Sequence, residues 1–413
     1  MITLSENSHL YHLHEIHYAA ISPIKMMAQA SKALHRHPLS PLTYTGYGRS
    51  VAAAAEVIER VTHRYGKPNF GITHTKVDGK DVAVHQEIID TKPFCRLIHF
   101  KKDMSKQQPA MLIVAPMSGH HATLLRGTVE ALLPFLDVYI TDWLDARDIP
   151  GYHGEFRLED YISYVIDYSK MLDGPHMLAV CQPSVPVLVA ASVLNQQGAK
   201  HAPRSMTLIG GPIDTRINPT KVNQLAATKP MEWFQSNVIT RVPFNYAGFM
   251  RRVYPGFLQL SGFMQLNLDR HINAHVDLFK HLVEGDGDSA SAHKKFYDEY
   301  LSVCDLPAEF YLDCIEQVFQ KHLLPKGEFM YKGKKVKPDA ITQTALLTLE
   351  GELDDISGVG QTEAAQHLCS SLPASKRKHH MQKGVGHYGI FNGRKFREHV
   401  VPIIVEFVRK ADK

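Results

Sequence analysis

Residues 176–184 read His-Met-Leu-Ala-Val-Cys-Gln-Pro-Ser, an apolar strand pattern that runs straight into a helical pattern. A tight turn between a buried strand and a helix lifts the residue at its apex above the edge of a sheet. Cys181 lies at that apex, and Ala179 is the small residue that such a turn needs two positions earlier. Pro183 is tolerated in the first turn of the helix. The stretch predicts a nucleophilic Cys181, although the turn alone is equally compatible with a buried core cysteine.

Strand and helix patterns alternate on both sides of this turn. Strand patterns lie at 94–100, 111–115, 138–140, 206–209, 345–349 and 378–381, and 111–115 is a continuous apolar run of the kind buried in a parallel sheet. Helical patterns lie at 122–133, 158–172, 184–195, 361–368 and 394–410. An alternation of this density predicts an α/β fold, in which helices cover both faces of a mostly parallel sheet.

Two loops late in the chain carry an acid and a base after predicted strands. Asp354 lies three residues after Gly351, in the turn that follows the strand at 345–349. His387 lies between glycines in the loop after the last predicted strand. The chain order nucleophile, acid, base is that of the α/β-hydrolase fold and of no other common triad. We therefore predict a triad of Cys181, Asp354 and His387, with the adjacent Asp355 as a helix-capping residue.

The backbone next to these residues supplies candidate hydrogen-bond donors for an oxyanion. One donor is the N–H of Gln182, directly after the nucleophile. The second is the N–H of Met117 or Ser118, in the loop after the predicted strand that ends at residue 115. His120 and Trp143 are interpreted as substrate-contacting residues, and a solvent-facing position is the alternative for His120.

The sheet pattern is interrupted over 214–338, where aromatic residues such as Trp233, Phe234, Tyr254 and Phe263 are frequent and the longer segments are helical. A helical block between late strands predicts a cap over the active site. We thus predict an N-terminal helical extension and linker over 1–93, a core in two parts over 94–213 and 339–413, and a helical cap over 214–338.

The N-terminal extension has two distinct patterns. Residues 7–36 repeat apolar side chains at spacings of three and four, which predicts an amphipathic helix. This helix packs on the main domain or contacts a hydrophobic partner surface. Residues 66–92 are polar and glycine-containing and are interpreted as a loose connection.

The composition excludes several classes of protein. The 413 residues carry 46 Lys+Arg against 42 Asp+Glu, without a basic arm for nucleic acid. The five cysteines are scattered and form no C-x-x-C pair, which indicates a reducing compartment such as the cytoplasm. Met1 to Ser8 show no secretory signal, and no run of 18 apolar residues predicts a membrane span.

Histidines are abundant, at 25 residues, and some occur close together, as in His120-His121, His379-His380 and His35-Arg36-His37. Adjacent histidines on a strand point to opposite faces, so they do not easily bind one ion. We predict no metal and no cofactor.

Several motifs together resemble one known family. They are residues 18–28, Ala115-Pro-Met-Ser-Gly-His-His, Asp142-Trp143 with Asp145-Ala146-Arg147, Val180-Cys-Gln-Pro, Thr207-Leu-Ile-Gly-Gly-Pro-Ile-Asp and Val385-Gly-His-Tyr-Gly. The chain resembles the intracellular polyhydroxyalkanoate depolymerases, with the polyhydroxyalkanoate synthases as more distant relatives. The resemblance implies a poly(3-hydroxybutyrate) substrate, a cytoplasmic location at the polymer granule surface, and catalytic roles for Cys181, Asp354 and His387. Synthases carry a glycine two positions before and after their cysteine, so Ala179 and Pro183 favour a depolymerase.

Alternatives to hydrolysis through an acyl-thioester remain open. A thioester also transfers its acyl group to thiols, so coenzyme A could replace water as the acceptor. A synthase-type acyltransferase is a second possibility, and a structural protein that coats granules is a third. The sequence leaves the oligomeric state open.

Overall fold

The computed structural model describes residues 8–266 and 268–412. Residues 1–7, where the sequence predicts no secretory signal, lie outside the described part. The chain begins with two long helices, α1 (Ser8–Arg36) and α2 (Gly46–Val61), which pack on each other. The helix predicted over 7–36 is therefore confirmed for its described residues. Within the described residues, no helix is both long and apolar enough to cross a membrane.

The next segment contains most of the sheet. Its elements in chain order are β1 (His74–Val77), β2 (Lys80–Lys92), β3 (Cys95–Lys102), β4 (Ala110–Val114), α3 (Arg126–Leu132), β5 (Asp137–Trp143), α4 (Leu158–Met171), β6 (His176–Val180), α5 (Ser184–Gln196) and β7 (Ser205–Ile209).

An insertion follows β7. Its elements are α6 (Lys221–Thr228), α7 (Met231–Asn237), β8 (Thr240–Arg241), β9 (Arg252–Tyr254), α8 (Gly256–Leu266), α9 (Leu268–Glu284), α10 (Gly287–Tyr300), β10 (Leu306–Pro307), α11 (Ala308–Cys314), β11 (Met330–Tyr331) and β12 (Lys334–Lys335). The expectation of an all-helical block is wrong, because β8, β9 and β10 form a small antiparallel sheet and β11 pairs with β12. Strands of two or three residues are too short to produce an alternating pattern.

The chain then returns to the main sheet. The last elements are β13 (Ala345–Gly351), α12 (Ala364–Leu368), β14 (Arg377–Gln382), α13 (Gly393–Lys395) and α14 (Val401–Ala411). All seven strands predicted for the sheet are present, as β3 to β7, β13 and β14.

The strand order of the main sheet is β1-β2-β3-β5-β4-β6-β7-β13-β14. The pairs from β5 to β14 are parallel, whereas β1, β2 and β3 add antiparallel strands at one edge. The central strand β6 is buried along its whole length between β4 and β7. This is the α/β-hydrolase fold, and it brings the carboxyl ends of β4, β6, β7, β13 and β14 to one edge.

The interpretation of 66–92 as a loose connection is wrong. This stretch contains β1 and β2, and β2 pairs with β3 along most of its length, with an irregularity between Ile88 and Asp90. Most side chains of β2 are exposed and polar, because an antiparallel strand near an edge need not bury both faces. The boundary predicted at residue 93 therefore cuts through the sheet, while the boundaries near 213 and 338 stay predictions.

Helix α1 is anchored to the insertion through one face. Tyr11 is buried, and its hydroxyl donates a hydrogen bond to the carboxylate of Asp305, just before β10. The second Asp305 oxygen accepts from the N–H of Gly256 at 2.9 Å, and burial raises the pKa of Asp305 to about 7. The ring of His14 stacks on Phe257 of α8 with 4.0 Å between centroids. Packing on the rest of the protein, one of the two interpretations of this helix, is therefore confirmed for this face.

Candidate active site

Cys181 lies in a strained turn between β6 and α5. Its backbone is in the left-handed region, with φ of 67°, which costs a non-glycine residue on the order of 1–3 kcal/mol. Two hydrogen bonds hold the turn: the Cys181 N–H donates to the Ile209 carbonyl at 2.7 Å, and the Ser184 N–H donates to the Cys181 carbonyl at 3.1 Å. A Cβ on Gly211 would lie 2.1 Å from the Ser184 Oγ, so this close approach requires glycine.

Cys181 differs from the other cysteines in its exposure. Its side chain is half-buried, whereas Cys95, Cys304, Cys314 and Cys369 are buried. Burial raises the pKa of each of these four thiols, to about 12 for Cys369. Since the thiolate is the nucleophilic form, Cys181 is the cysteine best placed to react.

The structure pairs Asp354 with His387. The Asp354 Oδ2 lies 2.8 Å from the His387 Nδ1, and both side chains are almost completely buried. The Asp354 Oδ1 accepts hydrogen bonds from the N–H groups of Ile356 at 2.9 Å and Ser357 at 2.8 Å, which fixes the turn. Asp355 is exposed. The cap over the following residues is thus made by Asp354 itself.

The charge on His387 depends on its two neighbours. Burial opposes a charge on the imidazole, but the Asp354 carboxylate and the Cys181 side chain together outweigh it and raise the pKa of His387 well above its usual value. Cys181 therefore lies close enough to the imidazole to act on its charge. Because Nδ1 faces a carboxylate, this nitrogen carries the proton and leaves Nε2 for the thiol. The arrangement is chemically suited to a thiolate–imidazolium pair.

Gly210 is a site residue whose role the sequence did not reveal. Its φ is 54°, and a Cβ there would lie 3.2 Å from the Asp354 Oδ2 and 3.3 Å from the His387 Cε1. A side chain would push the acid and the base apart. The available signal was the Gly-Gly pair directly after a predicted buried strand.

The loop after β4 lies beside the turn at Cys181. The Met117 N–H donates to the side-chain Oε1 of Gln182 at 3.2 Å. The start of the loop is fixed to the core at Ala115. Its carbonyl accepts hydrogen bonds from the Trp143 Nε1 at 2.8 Å and the Tyr161 hydroxyl at 2.9 Å. Met117, Ser118 and Gln182 line the same cavity as Cys181, so the structure brings all the predicted oxyanion donors to the nucleophile.

His120 and Trp143, the predicted substrate-contacting residues, both make contacts within the protein. Neither lies in the lining of the cavity at Cys181. His120 is buried, with its Nε2 3.1 Å from the Tyr300 carbonyl of the insertion, and burial lowers its pKa to about 4. Trp143 is buried and stacks on Tyr161 at 4.1 Å. His120 thus joins the loop to the insertion, and Trp143 packs against the loop from the core, while their contact with substrate stays a prediction.

The cavity beside Cys181 has a volume of about 270 Å³ and a mainly apolar wall. Most of this wall comes from the insertion, through the aromatic side chains of Phe234, Tyr254, Phe263, Phe310, Tyr311 and Phe319. Lys221 is the one charged residue among the described residues that line it. A small cavity of this kind fits a short stretch of an apolar, uncharged chain.

One group of potential metal ligands occurs among the described residues. It consists of Glu350, Glu363 and His379, whose ligand atoms lie within 4.8 Å of one another. The Glu350 carboxylate already accepts hydrogen bonds from the N–H groups of Gly360, Thr362 and Glu363, at 2.7–2.9 Å. These bonds are sufficient to explain Glu350 as a support for the turn before α12, so the group does not by itself indicate a metal.

Comparison with known proteins gives one family and several distant structural likenesses. Residues 210–412 match a family model described as PHB de-polymerase C-terminus. No curated protein matches the sequence significantly. Among solved structures, a putative lipase from Acinetobacter baumannii is similar, with 12% identity, 80% of this chain and 92% of that chain covered, and a TM-score of 0.43.

Two further solved structures are similar to the same extent. A putative non-heme bromoperoxidase from Mycobacterium tuberculosis has 14% identity, covers 82% of this chain and 98% of its own, and has a TM-score of 0.44. A monoacylglycerol lipase from Paleococcus ferrophilus has 13% identity, covers 74% and 96%, and has a TM-score of 0.41. At such low identities and scores these likenesses carry no argument about activity, and the fold assignment depends on the strand order described above.

Proposed function

We propose that this chain, whose residues 210–412 match the model described as PHB de-polymerase C-terminus, hydrolyses the ester bonds of poly(3-hydroxybutyrate) with Cys181 as the nucleophile. The observation that carries the proposal is the buried pair of His387 and Asp354 at the edge of the sheet, beside the turn that presents Cys181. Asp354 and His387 lie inside the matched region, whereas Cys181 precedes it. The nucleophile is therefore argued from geometry.

The first half of the proposed reaction forms an acyl-enzyme. His387 takes the thiol proton, and the Cys181 sulfur attacks the ester carbonyl carbon. The resulting oxyanion accepts hydrogen bonds from the N–H of Gln182 and from that of Met117 or Ser118. The C–O bond of the ester then breaks, and the departing alkoxide takes the proton from His387. Asp354 keeps the imidazole in the required tautomer and stabilises its charged form.

The second half of the reaction releases the acyl group. His387 removes a proton from water, and the hydroxide adds to the thioester carbonyl. The tetrahedral intermediate expels the Cys181 thiolate, which regains the proton. The product is a 3-hydroxybutyrate monomer or oligomer with a free carboxylate. No step requires a cofactor.

The substrate class agrees with the wall of the cavity. The repeating unit of poly(3-hydroxybutyrate) is small, uncharged and mostly apolar, as is the space beside Cys181. Phe234, Tyr254 and Phe263 extend into the wall from the insertion, so we propose that the insertion is a cap that grips the polyester. The mobility of this cap stays a prediction.

The decisive measurement is the release of 3-hydroxybutyrate from amorphous polymer granules by the purified protein. We expect release with water alone, in the absence of coenzyme A. Release that depends on added coenzyme A, with 3-hydroxybutyryl-coenzyme A as the product, would instead identify thiolysis. Polymer formed from 3-hydroxybutyryl-coenzyme A would identify a synthase. The absence of all three reactions would leave only a structural role at the granule.

Helix α1 provides a surface for contact with the polymer. On its outer face, Leu13, Ile16, Ile24 and Met27 lie at helical spacing and are at least half exposed. We propose that this face, the outer face of α1, lies on the granule surface, with the protein in the cytoplasm. The inner face of the same helix contacts α8 through His14 and Phe257, and α8 lines the cavity. The polymer surface would thus lie close to the active site.

The charges around this face favour a neutral partner. Of the three Lys and Arg side chains of α1, Lys32 and Arg36 form ion pairs with Glu59 and Glu56 of α2, whereas Lys25 forms none with a described residue. An amphipathic helix that binds anionic lipid depends on unpaired basic residues beside its apolar face. A solid polyester carries no net charge in its chain. With two of these three cations paired, the exposed apolar side chains fit the polymer better than an anionic lipid membrane.

A double charge substitution tests the outer face of α1. We expect Ile16→Glu with Met27→Glu to reduce release from granules, and co-sedimentation with them, by at least about tenfold, because two apolar contacts with the polymer are lost. Hydrolysis of soluble p-nitrophenyl butyrate should stay within about twofold. The matched control is Ile88→Glu with Met330→Glu, which makes the same changes at half-exposed side chains on β2 and β11.

Two results would contradict this surface. One is an equal loss on granules in the control variant. The other is a wild-type dimer, detected by sedimentation velocity, that dissociates in the α1 variant while granule release is retained. In that case the outer face of α1 joins two copies of the chain.

A further inference from the structure

The side chain of Gln182 accepts a hydrogen bond from a backbone N–H group that the proposed reaction needs as an oxyanion donor. Its Oε1 accepts a hydrogen bond from the Met117 N–H at 3.2 Å. Both residues line the cavity with Cys181. The oxygen of a primary amide and the oxygen of an ester are both carbonyl acceptors with the same preferred geometry. In the free protein, Gln182 therefore makes the contact that an ester carbonyl would make.

This contact is not needed to hold the loop. Three hydrogen bonds already fix Ala115, two residues before Met117: its carbonyl accepts from Trp143 and Tyr161, and its N–H donates to the Thr141 Oγ1 at 2.9 Å. The Met117 N–H, by contrast, lies beside an apolar cavity, where an unpaired donor is unfavourable. The Gln182 amide satisfies that donor while no substrate is present.

We propose that the Gln182 side chain is a displaceable substitute for the substrate carbonyl, which pairs the Met117 N–H in the empty site and leaves it when an ester binds. The inference depends on the proposed function, because it assumes that Cys181 is the nucleophile and that Met117 is an oxyanion donor. Gln182 then has two separate parts: its backbone N–H assists the reaction, whereas its side chain competes with the substrate. Each binding event must break the bond between Gln182 and Met117.

Gln182→Met tests the competition, because methionine has a similar length and no strong acceptor. The probe is butanal, whose carbonyl carbon forms a bond with the Cys181 sulfur. The π electrons of the C=O bond move to the oxygen, and the thiol proton passes to His387. We expect the inhibition constant of butanal to fall about three- to tenfold in Gln182→Met, the worth of one neutral hydrogen bond. The KM for p-nitrophenyl butyrate should fall by the same factor.

Gln182→Glu should act in the opposite direction. A carboxylate at this position is a stronger acceptor for the Met117 N–H and is harder to displace. We expect the inhibition constant of butanal to rise more than tenfold at neutral pH. Gln197→Met, at an exposed position after α5, is the matched control and should leave the constant unchanged.

A further measurement separates competition from damage to the site. The rate at which iodoacetamide alkylates Cys181 does not depend on the oxyanion donors, and we expect it to be the same in wild type and Gln182→Met. A rise in the butanal constant in Gln182→Met would overturn the proposal, since Gln182 would then position Met117. A change smaller than twofold would overturn it as well.

A structure of the wild-type protein with bound butanal avoids any effect of substitution on folding. We expect the Gln182 Oε1 to have moved out of hydrogen-bonding distance of the Met117 nitrogen, with the butanal oxygen in its place. An unmoved Gln182 would refute the displacement. If Cys181→Ala binds butanal as well as the wild type, the nucleophile itself is wrong, which distinguishes failure of the proposed function from failure of this inference.

Discussion

Replacing Cys181 with alanine should reduce hydrolysis of both granules and p-nitrophenyl butyrate by about 10⁶-fold, the loss seen when a triad nucleophile is removed. The physical reason is that His387, Asp354 and the oxyanion donors have nothing to activate once the sulfur is gone. Steady-state rates on the soluble ester measure the loss without any effect of granule binding. Circular dichroism and thermal unfolding should be those of the wild type, since the turn is held by backbone hydrogen bonds of residue 181 that alanine retains.

The matched control is Cys369→Ala. Cys369 is also a free cysteine, but it is buried and does not line the cavity. This variant should keep the full rate, apart from a modest loss of stability from the smaller side chain. A Cys181→Ala protein that retains a tenth of the wild-type rate would reject a cysteine nucleophile.

Asp354→Asn should lower kcat by about 10⁴-fold, by analogy with serine triads, because the amide allows His387 to adopt the wrong tautomer. Asp355→Asn should change kcat less than threefold, because its exposed side chain is not the one paired with His387. The two variants are each other's control, since they make the same chemical change at adjacent positions. Rates on p-nitrophenyl butyrate distinguish them, and an inactive Asp355→Asn would show that the acid is assigned one residue too early.

The strands that could be predicted are the buried ones, because burial on both faces requires mostly apolar side chains. Strand β4 is an uninterrupted apolar run, β6 is apolar after His176, and both are buried almost throughout. Strand β7 is buried as well, with Thr207 between its apolar residues. Strand β2 could not be recognised in this way, because most of its side chains face solvent. The two-residue strands of the insertion carry no periodicity at all.

The candidate site residues could be predicted where a chemically reactive residue directly follows a predicted strand. Cys181, Asp354 and His387 each follow a buried strand, and the order of the strands in the sheet brings them together. Residue type does not show which aromatic residues of the insertion line the cavity. Phe234 and Phe263 line it, whereas Phe257 packs on α1 and Phe244 is exposed. The contact between the Gln182 side chain and Met117 depends on a rotamer and a loop position that no sequence pattern encodes.

The order of the strands also determines when the site can exist during synthesis of the chain. Cys181 follows a strand at the centre of the sheet, but its partner His387 follows β14, which is synthesised after every other described strand of the sheet. The whole insertion separates them, so their contact is of very long range and closes late in folding. A nascent chain that has already formed β3 to β7 still lacks the acid and the base. Folding therefore withholds the reactivity of the thiol until the strands on both sides of the insertion have formed.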